Sequence, residues 1–231
     1  MIIYNFVDKF LMNDFTDTIV KILNEDKKKE NFIIFDIGCF RGNFSINLKK
    51  KIAIDSDFYL FDANPELKIK NFKYENIAIS DKVGTSKFNL NTFFPSSGSS
   101  LKDIIKNDVI WNITRRLFSF NLLKTFKTIE VETTTIDNIC FKNNINEIDV
   151  LKIDTEGSEL NVLKGASKML KNTKIILVEI LDENKNYDEK YKTVCDLLES
   201  FGFEKCLEKR ILSLSIFSKC KSVDVLFKKS I

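Results

Sequence analysis

The chain has 231 residues, 36 lysines and arginines against 33 acids, and a formal net charge of +3, so one α/β domain fits its length. That charge is too small to argue for duplex nucleic acid as a partner, and no Asn/Asp-Pro-Pro-aromatic run points to base methylation. No histidine is present, which excludes Ser-His-Asp and Cys-His hydrolysis and histidine-ligated metals within the chain. Any acid–base chemistry must use Asp, Glu, Lys, Tyr or Cys. The five cysteines, Cys39, Cys140, Cys195, Cys206 and Cys220, are scattered without a C-x-x-C pair, which favours a reducing compartment. There is neither a signal-like segment at Met1–Val7 nor an apolar run of membrane-spanning length. A cytoplasmic protein without stable membrane insertion is expected.

In chain order, residues 1–30 read as an N-terminal helix. Phe10, Leu11, Phe15, Ile19, Ile22 and Leu23 recur at helical spacing between Asp8 and Asp26. Phe32–Phe35 is a short buried strand that runs into Asp36-Ile37-Gly38-Cys39-Phe40-Arg41-Gly42, with a helix expected over 43–50. Phe58–Phe61 is a second strand that ends at Asp62, followed by an Asn64-Pro65 turn. Tyr74–Ile79 is a third, weaker strand. This order opens a doubly wound parallel sheet.

Strands are expected at 85–91 and 127–135, with a loop over Pro95–Ser100 and a helix over 102–124 between them. Residues 95–127 are read as a variable insertion on the acceptor side. There, Arg115, Arg116 and several lysines suit either an anionic acceptor or a solvated face. Ile148–Ile153 is a buried strand carrying Lys152, then Asp154 and Glu156 at spacing two, which places all three on one side while the chain stays extended. A helix over 160–170, the strand Ile175–Val178 ending at Glu179, a helix over 187–201 and a closing antiparallel hairpin (204–217 with 223–228) complete the chain.

The turn Asp36-x-Gly38-x-x-x-Gly42 supports a tight bend and close approach at a helix N-terminus, whose unpaired amides suit an anionic ligand group. Phe40 replaces the middle glycine of a dinucleotide turn. Asp62, 24 residues after Gly38, can accept both ribose hydroxyls of an adenosine. Together these features favour S-adenosylmethionine over NAD. Asp154, Glu156 and Lys152 are the candidate groups at the reacting end, with Glu179 on the next strand. Asp154 is the expected base, with Glu156 as the like-charged neighbour that could raise it; alternatively Lys152 could act as a partly neutral base, or could pair with Glu179 and fix strand register. Asp154 could instead cap the helix that follows. Oxygen ligands at Asp154, Glu156 or Glu179 would suit magnesium, but no metal is indicated.

These segments resemble the FkbM family of S-adenosylmethionine-dependent methyltransferases. The resemblance rests on Phe35–Ser45, Phe61–Glu66, Asn76–Asp81 with Gly84, Ser99–Leu101, Thr134–Asp137, Leu151–Glu159 and Val162–Ala166, in that order. It implies a class I methyltransferase fold (Rossmann-like), with a seven-stranded, mostly parallel sheet, one antiparallel strand and helices on both faces. It implies methyl transfer to a hydroxyl, often on a sugar, glycan or glycosylated small molecule. Transfer to a nitrogen or carboxyl acceptor, or a non-catalytic binding module, are the alternatives. On the matching positions, Asp36, Gly38 and Gly42 would form the cofactor turn with Cys39 and Phe40 inside it. Asp62 with Ala63 would hold the ribose, Ile77 and Ala78 would flank the adenine, and Asp154 would face the reaction centre. The family commonly has Ala-Asn where this chain has Cys39-Phe40, and Glu where it has Asp62.

Overall fold

The computed structural model describes residues 2–26, 29–91, 101, 126–182, 187–211 and 221–230. The loop expected at Pro95–Ser100, the helix expected over 102–124 with Arg115 and Arg116, and residue Cys220 lie outside the described residues. The elements are α1 (Ile2–Leu23), β1 (Asn31–Ile37), α2 (Asn43–Lys51), β2 (Asp55–Phe61), β3 (Lys73–Glu75), β4 (Ala78–Ile79), β5 (Gly84–Asn91) and β6 (Phe126–Thr134). They continue with α3 (Ile136–Lys142), β7 (Ile148–Ile153), α4 (Glu159–Lys164), β8 (Thr173–Asp182), α5 (Tyr187–Ser200), β9 (Phe203–Ile211) and β10 (Lys221–Lys229).

Seven strands form one sheet in the order β3-β2-β1-β7-β8-β10-β9. Strand β10 runs antiparallel to both its neighbours, and every other pairing in this sheet is parallel. This is the class I methyltransferase arrangement. Its sequence cause is visible in the strands: β7 is buried at every position, as a strand covered on both faces must be. Alternate residues feed two cores. Phe35, Leu151 and Ile176 pack with α3, α4 and α5 through Ile139, Val162 and Leu198. Ile34, Val150 and Ile175 pack with α1 and α2 through Phe15, Ile19 and Leu48 on the other face. Each such fully buried side chain contributes about 1.5–3 kcal/mol of transfer free energy.

Two expected elements come out differently. The strand expected over Tyr74–Ile79 is split: β3 edges the main sheet, whereas β4 joins a separate three-stranded sheet in the order β4-β6-β5. The break falls at Asn76, whose side-chain amide donates to the carbonyls of Asp62 and Asn64, both at 2.8 Å. The helix expected over 160–170 stops at Lys164. Gly165 accepts the amide of Asp137 at 3.0 Å, and a Cβ on Gly165 would lie 2.0 Å from the Ser80 carbonyl oxygen. That close approach anchors the chain against the small sheet and ends the helix there.

Both the sheet centre and the glycine turn after β1 are fixed by register. Asp36 of β1 lies opposite Lys152 of β7, and Ile153 lies opposite Val178 of β8. The C-terminal ends of β1, β2, β7 and β8 therefore meet at one edge, where parallel α/β sheets place their ligands.

Candidate active site

Gly38 begins the turn after β1 with φ +71°, and a Cβ there would fall 1.7 Å from the Asp154 carbonyl oxygen. Only glycine fits this crossing of two strand ends. The Asp154 amide in turn donates to the Ile37 carbonyl at 3.0 Å. The amides of Gly38 and Cys39 both donate to the Phe61 carbonyl, at 2.9 and 3.1 Å, and the Gly42 amide donates to Cys39 at 2.7 Å. The Phe40 amide donates to Asp62 Oδ2 at 2.8 Å. The turn thus uses these four amides internally. What remains for an anion is the first turn of α2, which has no side-chain cap.

Phe40 adopts φ +47°, unusual for a non-glycine residue. Its ring lines a cleft of about 170 Å³ with Arg41, Ile46, Leu67, Ile69 and Phe72. The Arg41 guanidinium sits 5.1 Å from the ring centroid, a cation–π contact. Phe40 therefore belongs to neither buried core cluster. Cys39 is buried, and desolvation followed by the charges of Asp36 and Asp62 pushes its thiol far up, so it is inert as a nucleophile.

Asp62 ends β2, and its two oxygens accept the Phe40 and Asn64 amides, both at 2.8 Å. Burial raises its proton affinity, while those amides oppose the rise. Each oxygen keeps a second lone pair, so the carboxylate can still receive hydroxyls. Ala63, half-buried, follows it, while Ile77 packs on the edge of the core and Ala78 opens β4 at the near end of the small sheet. Asn76, which the sequence reading missed, is the tie between these two segments. Asn76 heads the Asn76–Asp81 segment of the family resemblance, but it was given no role there.

At the centre, Lys152 is nearly buried, with 7% of its side chain exposed. Its ammonium lies 3.0 Å from Asp154 Oδ2, 3.3 Å from Asp36 Oδ1 and 3.4 Å from the Gly38 carbonyl oxygen. Burial alone would lower its proton affinity, but Asp154 and Asp36 overcome this and raise it. The two aspartates beside the ammonium favour its charged form, which speaks against a partly neutral base, and they take the place of Glu179 as its ion-pair partners. Asp36 is fully buried. Its Oδ2 accepts the Ser45 hydroxyl at 2.7 Å, and its Oδ1 has only the ammonium nearby, without hydrogen-bond alignment.

Beyond Asp154 the strand ends. Glu156 has φ +52° and Gly157 φ +109°, so the three ionisable groups read at spacing two do not stay on one face. A left-handed glutamate costs about 1–3 kcal/mol and marks a turn held by its surroundings. Here the holder is Glu159, fully buried, which accepts the Gly157 amide at 2.6 Å and pairs with Lys190 at 2.6 Å. Asp154 is not the cap of α4; Ser158 occupies that position and makes no side-chain cap bond.

Glu179 of β8 follows Val178, the partner of Ile153, so it stands beside Asp154 at the ends of the two strands. Burial, then the charges of Asp154, Asp224 and Glu156, hold Glu179 well above the ordinary carboxylate range. Ser222 of β10 donates to Glu179 Oε1 at 2.6 Å, and Asp224, 3% exposed, lies opposite Glu179 in the antiparallel register. Asp224 escaped the sequence reading, though an acid between Val223 and Val225 was a visible signal. Among the described residues, no group of three or more Asp, Glu or Cys is arranged to hold a metal ion. No helix among them is long and apolar enough to cross a membrane.

Comparison with known proteins adds the family. A family model described as the methyltransferase FkbM domain matches residues 36–205. The 2-O-methyltransferase NoeI of Sinorhizobium fredii (strain NBRC 101917 / NGR234) is 24% identical over 188 residues, 75% of this chain and 74% of NoeI. Among solved structures, the N-methyltransferase NodS from Bradyrhizobium japonicum WM9 superposes with a TM-score of 0.42 at 8% identity, over 93% of this chain and 96% of NodS. The magnesium protoporphyrin IX methyltransferase ChlM from Synechocystis PCC 6803, with bound SAH, gives 0.39 at 10% identity, over 94% and 82% of the two chains. The family match takes in every residue discussed at this edge except Ser222 and Asp224 of β10. This chain belongs to the FkbM family and is an S-adenosylmethionine-dependent methyltransferase.

Proposed function

We propose that this enzyme methylates a hydroxyl on a sugar, a glycan or a glycosylated small molecule. The arrangement of Glu179 carries the reading: this half-buried carboxyl stands at the strand end beside Asp154, accepts the Ser222 hydroxyl at 2.6 Å and faces Asp224, and desolvation with these neighbouring acids raises its proton affinity. A carboxyl whose proton affinity is raised is a better acceptor for a hydroxyl proton than an ordinary carboxylate. The similarity to a 2-O-methyltransferase supports a hydroxyl acceptor.

The residues fit the cofactor. Gly38 and Gly42 make the left-handed turn, and a Cβ at Gly38 would fill the crossing that lets β1 and β7 end together. In this reading Asp62 with Ala63 holds the ribose, Ile77 and Ala78 flank the adenine, and Asp36 orders the turn from beneath through Ser45 and Lys152. When bound, S-adenosylmethionine supplies an electrophilic methyl group on a sulfonium. The protein's part is to orient the acceptor oxygen and to take its proton on a carboxylate oxygen of Glu179 as the new C–O bond forms. Lys152, Glu156 and Asp154 shape the charge around that oxygen.

Incubation with methyl-labelled S-adenosylmethionine and a panel of mono- and oligosaccharides tests this. Label recovered as an O-methyl ether, located on the sugar by fragmentation mass spectrometry, is the expected result. Label recovered on amine or carboxyl acceptors, with none on sugars, overturns it.

A further inference from the structure

The charges of the chain nearly balance, with 36 cations against 33 acids, but they are not evenly placed. Residues 41–51 carry Arg41 and Lys49–Lys51 with no acid, and residues 66–73 carry Lys68, Lys70 and Lys73 with Glu66 alone. The fold brings these two segments face to face. The connection from β2 to β3 forms no helix, and the cleft of about 170 Å³ lies between it and α2. Ile46 stands on one wall, and Leu67 and Ile69 stand on the other. A second cleft of about 310 Å³ shares Phe72 with the first, so the two form one groove.

The rim of this groove is cationic. Arg41, Lys49, Lys68 and Lys70 line it, are exposed, and make no ion pair among the described residues. Among those residues the acid that lines it is Asp57, which Lys73 already holds at 2.7 Å. Its two rings are set by left-handed backbone: Phe40 has φ +47°, and Asn71, just before Phe72, has φ +72°. Asparagine tolerates that region and phenylalanine does not, so Phe40 bears a strain that core packing does not require.

The kind of partner follows from the lining. Arg41 lies 5.1 Å from the Phe40 centroid and Lys49 lies 5.4 Å from that of Phe72, so a cation already covers a face of each ring. A nucleobase or a sugar could stack there only by displacing it. What the groove offers instead is aliphatic surface, with Ile46 37% exposed, inside a border of long basic side chains. Such side chains lay their stems along apolar surface and keep their charged heads at the polar boundary. Apolar surface bordered by lysine and arginine is the chemistry that meets acidic phospholipid headgroups.

We infer that this groove is a docking surface for an anionic lipid bilayer. Ile46, Leu67 and Ile69 meet the acyl boundary, and Arg41, Lys49, Lys68 and Lys70 meet the lipid phosphates. The attachment is peripheral and reversible, and it does not depend on which acceptor is methylated.

Co-sedimentation of the full chain with vesicles tests this. Phosphatidylcholine vesicles containing phosphatidylglycerol are expected to retain the protein, and pure phosphatidylcholine vesicles are not. Added salt should release it. Each basic residue at such a surface is worth about fivefold in affinity, so Lys68→Gln with Lys70→Gln should weaken retention about 25-fold. Ile46→Ser should weaken it about tenfold through lost apolar contact. Lys142→Gln, at an exposed position of α3 on the other face of the sheet, should leave it unchanged. All four positions are exposed, and circular dichroism checks that the variants fold. Three results overturn the inference: no retention on the anionic vesicles, equal retention on the neutral ones, or a groove variant that binds as the wild type does. Binding of a single-stranded oligonucleotide without vesicle retention would also overturn it and assign the groove to nucleic acid.

Discussion

Gly38→Ala is expected to cost the fold about 2–5 kcal/mol and to abolish cofactor binding. Two penalties combine. A non-glycine residue at φ +71° costs about 1–2 kcal/mol, and forcing a methyl group into a packed site costs about 1–3 kcal/mol. The methyl would sit 1.7 Å from the Asp154 carbonyl oxygen and 2.8 Å from its carbon, both backbone atoms. The Asp154 amide is bonded to Ile37, so β7 cannot withdraw without breaking the junction of the two strands. Gly202→Ala is the matched control. Its φ is +81°, yet nothing lies within 4 Å of an added Cβ, so only the backbone penalty applies. Urea denaturation of both variants separates the terms. Equal losses in the two would show that the Gly38–Asp154 crossing is not as tight as described.

Glu179→Gln is expected to reduce turnover about 10²–10⁴-fold, the usual worth of a positioned proton acceptor, while preserving cofactor binding. It should also change stability in a pH-dependent way. The native state holds the Glu179 proton to higher pH than the unfolded chain does, because burial and neighbouring acids raise its affinity. A raised group contributes stability that is complete below the ordinary glutamate value near 4.5 and is lost as pH rises through its native value. Glutamine makes no such loss. The variant should therefore gain on the wild type from about pH 4.5 upward, each tenfold in proton affinity being worth about 1.4 kcal/mol. Thermal unfolding at a series of pH values measures this. A wild type that gains stability over that interval relative to Glu179→Gln would contradict the raised affinity.

Much of this architecture is readable from local pattern. Continuous apolar runs such as Phe32–Phe35 and Ile175–Val178 can only be strands buried on both faces, and their order with the helices dictates a parallel sheet. Asp36, Gly38, Asp62 and Asp154 are legible because each interrupts such a run at its C-terminal end. What escapes pattern is whatever depends on a partner distant in sequence. Spacing two put Lys152, Asp154 and Glu156 on one face, but the left-handed Glu156 turns the chain away, and only the Glu159–Lys190 pair explains why it does so. The pairing of Lys152 with Glu179, one of the alternatives open in the sequence, gives way to Asp36 because strand register places that acid opposite it. Asn76 splits an expected strand through bonds to two carbonyls more than ten residues away. Asp224 enters the site only because β10 is inserted antiparallel beside β8.

The cofactor site proposed at Asp36–Gly42 and Asp62 has a direct test in calorimetric titration with S-adenosylmethionine. Saturable binding to one site is expected. Asp62→Ala should weaken it about 10- to 100-fold, the worth of a hydrogen-bonded charge of about 1.5–3 kcal/mol. No saturable binding at protein concentrations on the order of a millimolar, where even a weak site of about −4 kcal/mol would register, would contradict the assignment.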